Sequence, residues 1–244
     1  MRLRESMERS GAELFRWRSY LPALILPFAL PAVANYEYPW GSEAYAWTWD
    51  AVCLVVSLLG FAVRVATVGQ TPSGTSGRNT RRQKADVLNT TGVYSTTRNP
   101  LYLGNFLIGL GVAMFPFSIY PPILYALFFH LYYERIILAE EKFLREKFGR
   151  EYDEWAESTP VFIPKLADYE PPATPFSWKR VARRENTTLM GIALAMTGME
   201  MATDLKLDPR HWELDTPWAA FLGASVALWA VARFLKKRTR FLRD

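Results

Sequence analysis

The sequence predicts an all-α integral membrane protein with six transmembrane helices. Three observations carry this. Half of the 244 residues are hydrophobic, yet the mean hydropathy is near zero. The apolar residues are gathered into nearly charge-free runs (21–34, 51–63, 101–133, 187–202 and 216–232) separated by very polar segments. The 101–133 run is too long for one crossing, and Pro116, Pro121 and Pro122 divide it into a hairpin. Finally, 25 of the 29 Lys and Arg residues fall on one side of six alternating spans.

In chain order, residues 1–18 form a basic amphipathic lead-in, with Trp17 and Tyr20 placed as interfacial residues. Two spans follow. The Ala32-Val33-Ala34 end of the first resembles a signal-peptide cleavage site, but Pro22, Pro27 and Pro31 argue against an efficient apolar core for one. Residues 69–99 are rich in Gly, Ser and Thr and carry Arg81, Arg82 and Lys84, as a cytoplasmic connector would. The 101–133 hairpin supplies spans three and four. The fourth runs on as a charged helix, with Glu141/Arg145, Lys142/Glu146 and Glu146/Arg150 at i,i+4 spacing. Gly149 is placed to break that helix and Pro160 to stop it. Pro171, Pro172 and Pro175 mark a linker. The last two spans form a second hairpin, expected to have no polar cluster of its own. Several runs are shorter than the roughly 20 residues of a straight crossing; tilt and flanking Trp and Tyr residues would make up the difference.

The charge asymmetry gives orientation. Cytoplasmic loops collect Lys and Arg, so both termini and the connector are expected to be cytoplasmic, in a prokaryotic plasma (inner) membrane. A basic balance then reflects topology and anionic lipid headgroups; nothing in it calls for nucleic acid. Cys53 is the one cysteine, and His130 and His211 are the two histidines, so no disulfide framework is possible and no metal site is expected.

Two polar clusters stand at the edges of the apolar hairpin. In Thr97-Arg98-Asn99-Pro100-Leu101-Tyr102, Asn suits an N-cap and Pro the first helical turn, so the third span starts here. A helix N-terminus with an adjacent Arg can hold a carboxylate or phosphate. Tyr102 lies one turn inside, with a ring that can stack on a base or face a cation. Gly104, Gly109 and Gly111 permit close approach of a helix or ligand. Across the hairpin, Glu140 and Glu141 point about 100° apart on their helix. One can take a ligand amine or hydroxyl pair while the other pairs with a basic residue, Arg145 being the local candidate. If the chain crosses and returns, the two clusters meet on one membrane face, and together they suit a small zwitterion.

With these residues in place, the chain resembles the isoprenylcysteine carboxyl methyltransferase family and, more distantly, phospholipid N-methyltransferases. The family pattern G-x-Y-x-x-x-R-H-P-x-Y-x-G reads GVYSTTRNPLYLG here. E-E-x-x-L-x-x-x-F-G-x-x-Y reads EEKFLREKFGREY, and the I-P ending reads VFIPK. The resemblance covers residues 86–166, between N-terminal spans and connector (1–85) and a C-terminal hairpin extension (167–244). It implies an S-adenosyl-L-methionine pocket on the cytoplasmic face, open sideways to lipid. The implied cofactor contacts are Tyr94, Arg98, Asn99, Pro100, Tyr102, Gly104, Glu140 and Glu141, with Arg98 and Asn99 at the catalytic positions. The implied acceptor is a lipophilic small molecule or lipidated substrate, such as a carboxylate or headgroup, which Arg135 or Arg64 would orient. The family His is Asn99 here, which can hydrogen-bond but cannot accept a proton. Two other readings are an NADPH-dependent membrane reductase of the sterol-reductase type, whose late motif lacks the Glu140–Glu141 pair, and a non-enzymatic membrane scaffold.

Overall fold

A computed structural model describes residues 3–18, 26–72, 85–210 and 213–239. Helices α1 (Leu3–Trp17), α2 (Leu26–Ala34), α3 (Glu43–Gln70), α4 (Val93–Thr96), α5 (Pro100–Met114), α6 (Tyr120–Phe148), α7 (Arg150–Ser158), α8 (Trp178–Leu207) and α9 (Thr216–Arg238) make up the described chain, with no strand among them. Arg81, Arg82 and Lys84 of the connector, and Tyr20 and Pro22 near the start, lie outside the described residues.

The chain folds where its sequence breaks it. α5 stops at Met114, and Phe117 takes a positive φ of 47° before α6 begins with Pro121 in its first turn. Gly149, at φ 56°, separates α6 from α7, and α7 ends two residues before Pro160.

Helix α3 is the centre of the assembly and runs antiparallel to both α5 and α8. Against α5, Trp49 donates to the Met114 carbonyl, Ser57 to the Ile108 carbonyl, and Arg64 to Asn105. Gly60 and Gly104 make this contact possible: a Cβ on Gly60 would stand 2.5 Å from the Gly104 carbonyl oxygen, and one on Gly104 2.8 Å from that of Gly60. Against α8, Arg64 makes a two-pronged ion pair with Glu185, both contacts at 2.8 Å. Asp50 faces Glu200 toward the other end. The α8–α9 hairpin is thus built into the core, and it does carry polar clusters, contrary to expectation. The reason lies in α3, whose own polar residues require partners from α8. α1 docks along the outer half of α6, where Tyr132 donates to the Leu14 carbonyl and Lys142 pairs with Glu8.

Of the described helices, α3 and α9 are long and apolar enough to cross a membrane. Only 28% of the most apolar window of α3, and 17% of that of α9, is buried. A soluble core helix would hide that surface; these present Val52, Val55, Leu59, Leu228, Val231 and Phe234 outward. The six expected spans are not matched one for one. α5 has 15 residues, about 22 Å of helix against a hydrocarbon core of about 30 Å. α6 and α8 are long enough, but each carries charged turns at one end, and α2 has nine residues.

Candidate functional site

The two polar clusters meet at the start of α5. Tyr102 donates to Glu140 Oε2 at 2.8 Å, joining residues 38 positions apart. Arg98 Nη1 lies 2.9 Å from Glu141 Oε1. The adjacent carboxylates therefore serve different neighbours, as the 100° helical step requires. Glu141 turns to Arg98, not to Arg145. Arg145 pairs with Asp153 of α7 at 2.7 Å and Lys142 with Glu8 of α1, while Arg150 pairs with Glu154 one turn on in α7, so none of the three expected i,i+4 pairs forms. α7 and α1 pack against α6 and bring carboxylates to its basic residues.

A loop holds the site in shape. Residues 159–177 are stitched to the segment before α5: Arg98 N donates to the Pro160 carbonyl, Lys165 N to that of Thr96, and Gly92 N to that of Glu170. Thr97 Oγ1 donates to the Phe162 carbonyl at 3.1 Å. Gly92 has φ 63°, and any side chain there would also strike Gln70. The VFIPK segment thus forms one wall of an open groove of about 630 Å³, lined by Arg98, Ile163, Pro164 and Lys165. Of the predicted cofactor contacts, Arg98 alone lines this groove; Tyr102, Glu140 and Glu141 meet behind it.

Asn99 occupies the N-cap position of α5, but its side chain makes no cap bond and donates to the Val161 carbonyl at 3.0 Å instead. The loop carbonyl lies within reach and takes the amide. Pro100 is buried behind it, and Tyr94 sits half-buried on α4. Gly104 faces Arg64 and Gly60 of α3. The donors of Arg64 go to Glu185 and Asn105, and Arg135 Nη1 donates to the Leu131 carbonyl one turn back on its own helix. Neither is drawn to the Arg98–Glu141 contact.

Two residues outside the predicted contacts join the site. Arg18, at the end of α1, places Nη1 3.9 Å from Glu140 Oε1 and lays its guanidinium over the Phe15 ring. Tyr152 is fully buried and accepts from Arg98 Nη1 at 3.5 Å. It is the last residue of the EEKFLREKFGREY block and was legible there as part of the pattern.

The electrostatics leave room for a ligand. Burial lifts the Glu140 carboxyl above its ordinary range, against the opposing pull of Arg18 and the Tyr102 hydroxyl. Burial likewise pushes the Tyr152 phenol up to about 12, so it stays a neutral hydrogen-bonding group. Arg98 Nε is buried with no hydrogen-bond partner, and Glu141 Oε1, though in ionic contact with Arg98, accepts no hydrogen bond. Unused buried donors and acceptors are costly. A molecule bringing one carboxylate and one ammonium group would satisfy both signs at once, so the residues fit the amino-acid head of S-adenosylmethionine.

Residues 49–151 match the phospholipid methyltransferase family. The chain is 33% identical over 168 residues to the nickel-cobalt-cadmium resistance protein NccN of Alcaligenes xylosoxydans xylosoxydans, covering 66% of this chain and 75% of that protein. It is 36% identical over 137 residues to the cobalt-zinc-cadmium resistance protein CzcN of Cupriavidus metallidurans, covering 55% and 60%. Over 86 residues it is 31% identical to the protein-S-isoprenylcysteine O-methyltransferase of Schizosaccharomyces pombe, covering 35% and 36%. No solved structure matches. With its paired motifs brought together in space, the chain belongs to the phospholipid methyltransferase family, among its isoprenylcysteine methyltransferase-like members.

Proposed function

We propose that this protein is an integral membrane methyltransferase that uses S-adenosyl-L-methionine to methylate a lipophilic acceptor at the cytoplasmic face of a bacterial inner membrane. The observation that carries the proposal is the meeting of Arg98 and Tyr102 with Glu141 and Glu140 at the start of α5. Bound there, the cofactor supplies an electrophilic methyl group on a cationic sulfur. The chain's contribution is positioning and electrostatics. Arg98 holds the carboxylate of the amino-acid head, Glu140 and Glu141 take its ammonium group, and Tyr102 keeps Glu140 oriented. Asn99 steadies the loop wall through Val161; it cannot take a proton, and a carboxylate acceptor would not ask it to. Pro100 starts α5 and Gly104 lets α5 close on α3, which fixes the helix that carries Tyr102.

The acceptor comes from the bilayer. The α6 face bearing Ile123, Leu124, Leu127 and Leu131 is exposed and apolar, and Arg135 stands one turn beyond it. Arg135 is the better placed of the two candidate arginines to meet an anionic headgroup, since the donors of Arg64 are engaged by Glu185. Six crossings, with α5 and α6 as a short hairpin and both termini cytoplasmic, would put Arg135 and the site at the same end of α6, with the apolar face running from them into the bilayer. Two bacterial relatives are named for metal resistance, and a setting of divalent-metal stress is proposed for the methylation on that ground. The test is transfer of labelled methyl from S-adenosylmethionine to the lipid fraction of membranes containing the protein. Label in lipid that disappears with Tyr102→Ala supports the proposal. No label from folded protein, or label indifferent to that substitution, overturns it.

A further inference from the structure

A second polar centre lies at the opposite end of the bundle and plays no part in the site above. Glu200 and Asp204 stand one turn apart on α8, and Asp215 immediately precedes α9; one carboxylate oxygen from each lies within 4.8 Å of the others. Asp50 enters from α3, facing Glu200 within hydrogen-bonding reach. Asp50 is 5% exposed, and its Oδ1 is buried with no hydrogen-bond donor. Glu200 is as deeply buried, at 6% exposure.

Ordinary structural roles do not account for these groups. Asp215 is at an N-cap position, where an Asp side chain usually accepts from the helix's free amides. It makes no such bond, and its carboxylate joins two others instead. Among the described residues no Lys or Arg pairs with any of the four; Lys206 and Arg210, the basic residues of this end, leave them unneutralised. Four acidic side chains from three helices, two of them buried, repel one another unless a cation or protons intervene.

We propose that Asp50, Glu200, Asp204 and Asp215 form a binding site for a hard divalent cation of the calcium or manganese type, on the face opposite the methyl-transfer site. The donor set is all oxygen, which suits hard cations over thiolate- or imidazole-seeking ones. Two oxygens on opposite sides of a cation held at about 2.4 Å are about 4.8 Å apart. An irregular carboxylate cage drawn from three helices fits the loose geometry of calcium better than the strict octahedron of magnesium. The bound ion would pin the α8–α9 turn to α3.

The test uses the full chain in detergent, stripped of metal. Manganese is titrated in while the spectrum of the free ion is followed by electron paramagnetic resonance, and calcium is added as competitor. One saturable manganese site per chain, in the roughly 10⁻⁴–10⁻³ M range of extracellular calcium modules or tighter, displaced by calcium, is the expected result. Asp204→Asn and Asp215→Asn should each weaken it by more than about tenfold, since lost supporting contacts alone cost that much at metal sites. Both variants should also be at least as stable as the parent in chelator, because each removes a repelling charge, so lost binding will not mean lost fold. No saturable site, or a site that survives both substitutions, overturns the proposal. So does a protein whose stability ignores manganese and calcium but follows pH, which would show the carboxyls neutralised by shared protons only.

Discussion

The seam between α3 and α8 holds two buried polar pairs with opposite logic. Toward the basic end, Arg64 meets Glu185, charge against charge, with Asn105 Oδ1 accepting from its Nη1. At the other end, about 21 Å along the helix at 1.5 Å per residue, Asp50 meets Glu200, like against like. One pair is complete within the protein and serves the fold. The other brings two carboxyl groups together with no Lys or Arg paired to either among the described residues. The candidate cofactor site falls between these cases: Glu140 and Glu141 have partners in Tyr102, Arg18 and Arg98, yet Arg98 Nε and Glu141 Oε1 retain unused capacity. What the two ligand-seeking places share is a buried charged side chain with an unsatisfied atom, Arg98 and Glu141 at one and Asp50 at the other.

The largest effect is expected where the pair is complete. Glu185→Ala leaves the largely buried Arg64 charge with no carboxylate and only Asn105 as partner, and should cost about 3–5 kcal/mol of stability, seen as loss of folded protein in thermal unfolding in detergent. An unchanged midpoint would mean that the pair is not buried as described. Next, Glu140→Ala or Tyr102→Ala should leave the fold intact and weaken cofactor binding by about 100-fold, in line with the 2–5 kcal/mol lost when one partner of a buried charged hydrogen bond is truncated. At the acidic end the sign reverses: Glu200→Gln should stabilise the metal-free chain by about 1 kcal/mol, the size of an ordinary single-substitution effect, and a loss of stability there would break the comparison.

A smaller effect concerns pH. The folded state holds the Glu140 proton more tightly than the unfolded chain does, because burial raises its carboxyl. The stability it contributes is full below the ordinary glutamate value of about 4.3 and is lost as pH rises through the raised value. Glu140→Gln should therefore flatten the fall in stability over that interval, as measured by thermal unfolding across pH. Asn99→His should change binding least, since the residue's present bond is to a loop carbonyl a protonated ring nitrogen can also reach.

Much of this was legible in the sequence, and the rest had physical reasons to be hidden. The prolines at 116, 121 and 122 and Gly149 mark breaks because their backbone limits act locally. The Tyr102–Glu140 meeting was legible because an apolar hairpin of known length fixes where the chain returns. Glu141 pairing with Arg98 in place of Arg145 was not, since helical spacing offers a partner but packing against α5 and α7 decides it. Arg18 looked like one basic residue among several in an amphipathic segment. The acidic centre was least visible: Asp50 and Glu200 are 150 positions apart, one just before an apolar run and the other lone inside one, and only the antiparallel contact of α3 and α8 makes them neighbours. That same contact explains why the last hairpin is not an appendage.

The most direct test of the central claim is calorimetric titration of S-adenosylmethionine and S-adenosylhomocysteine into the detergent-purified protein, with NADPH as control and Glu140→Ala in parallel. Micromolar binding of the first two, absent with NADPH and lost in the variant, is the predicted result. A folded protein that binds neither, or that binds NADPH instead, would contradict the methyltransferase site at the start of α5.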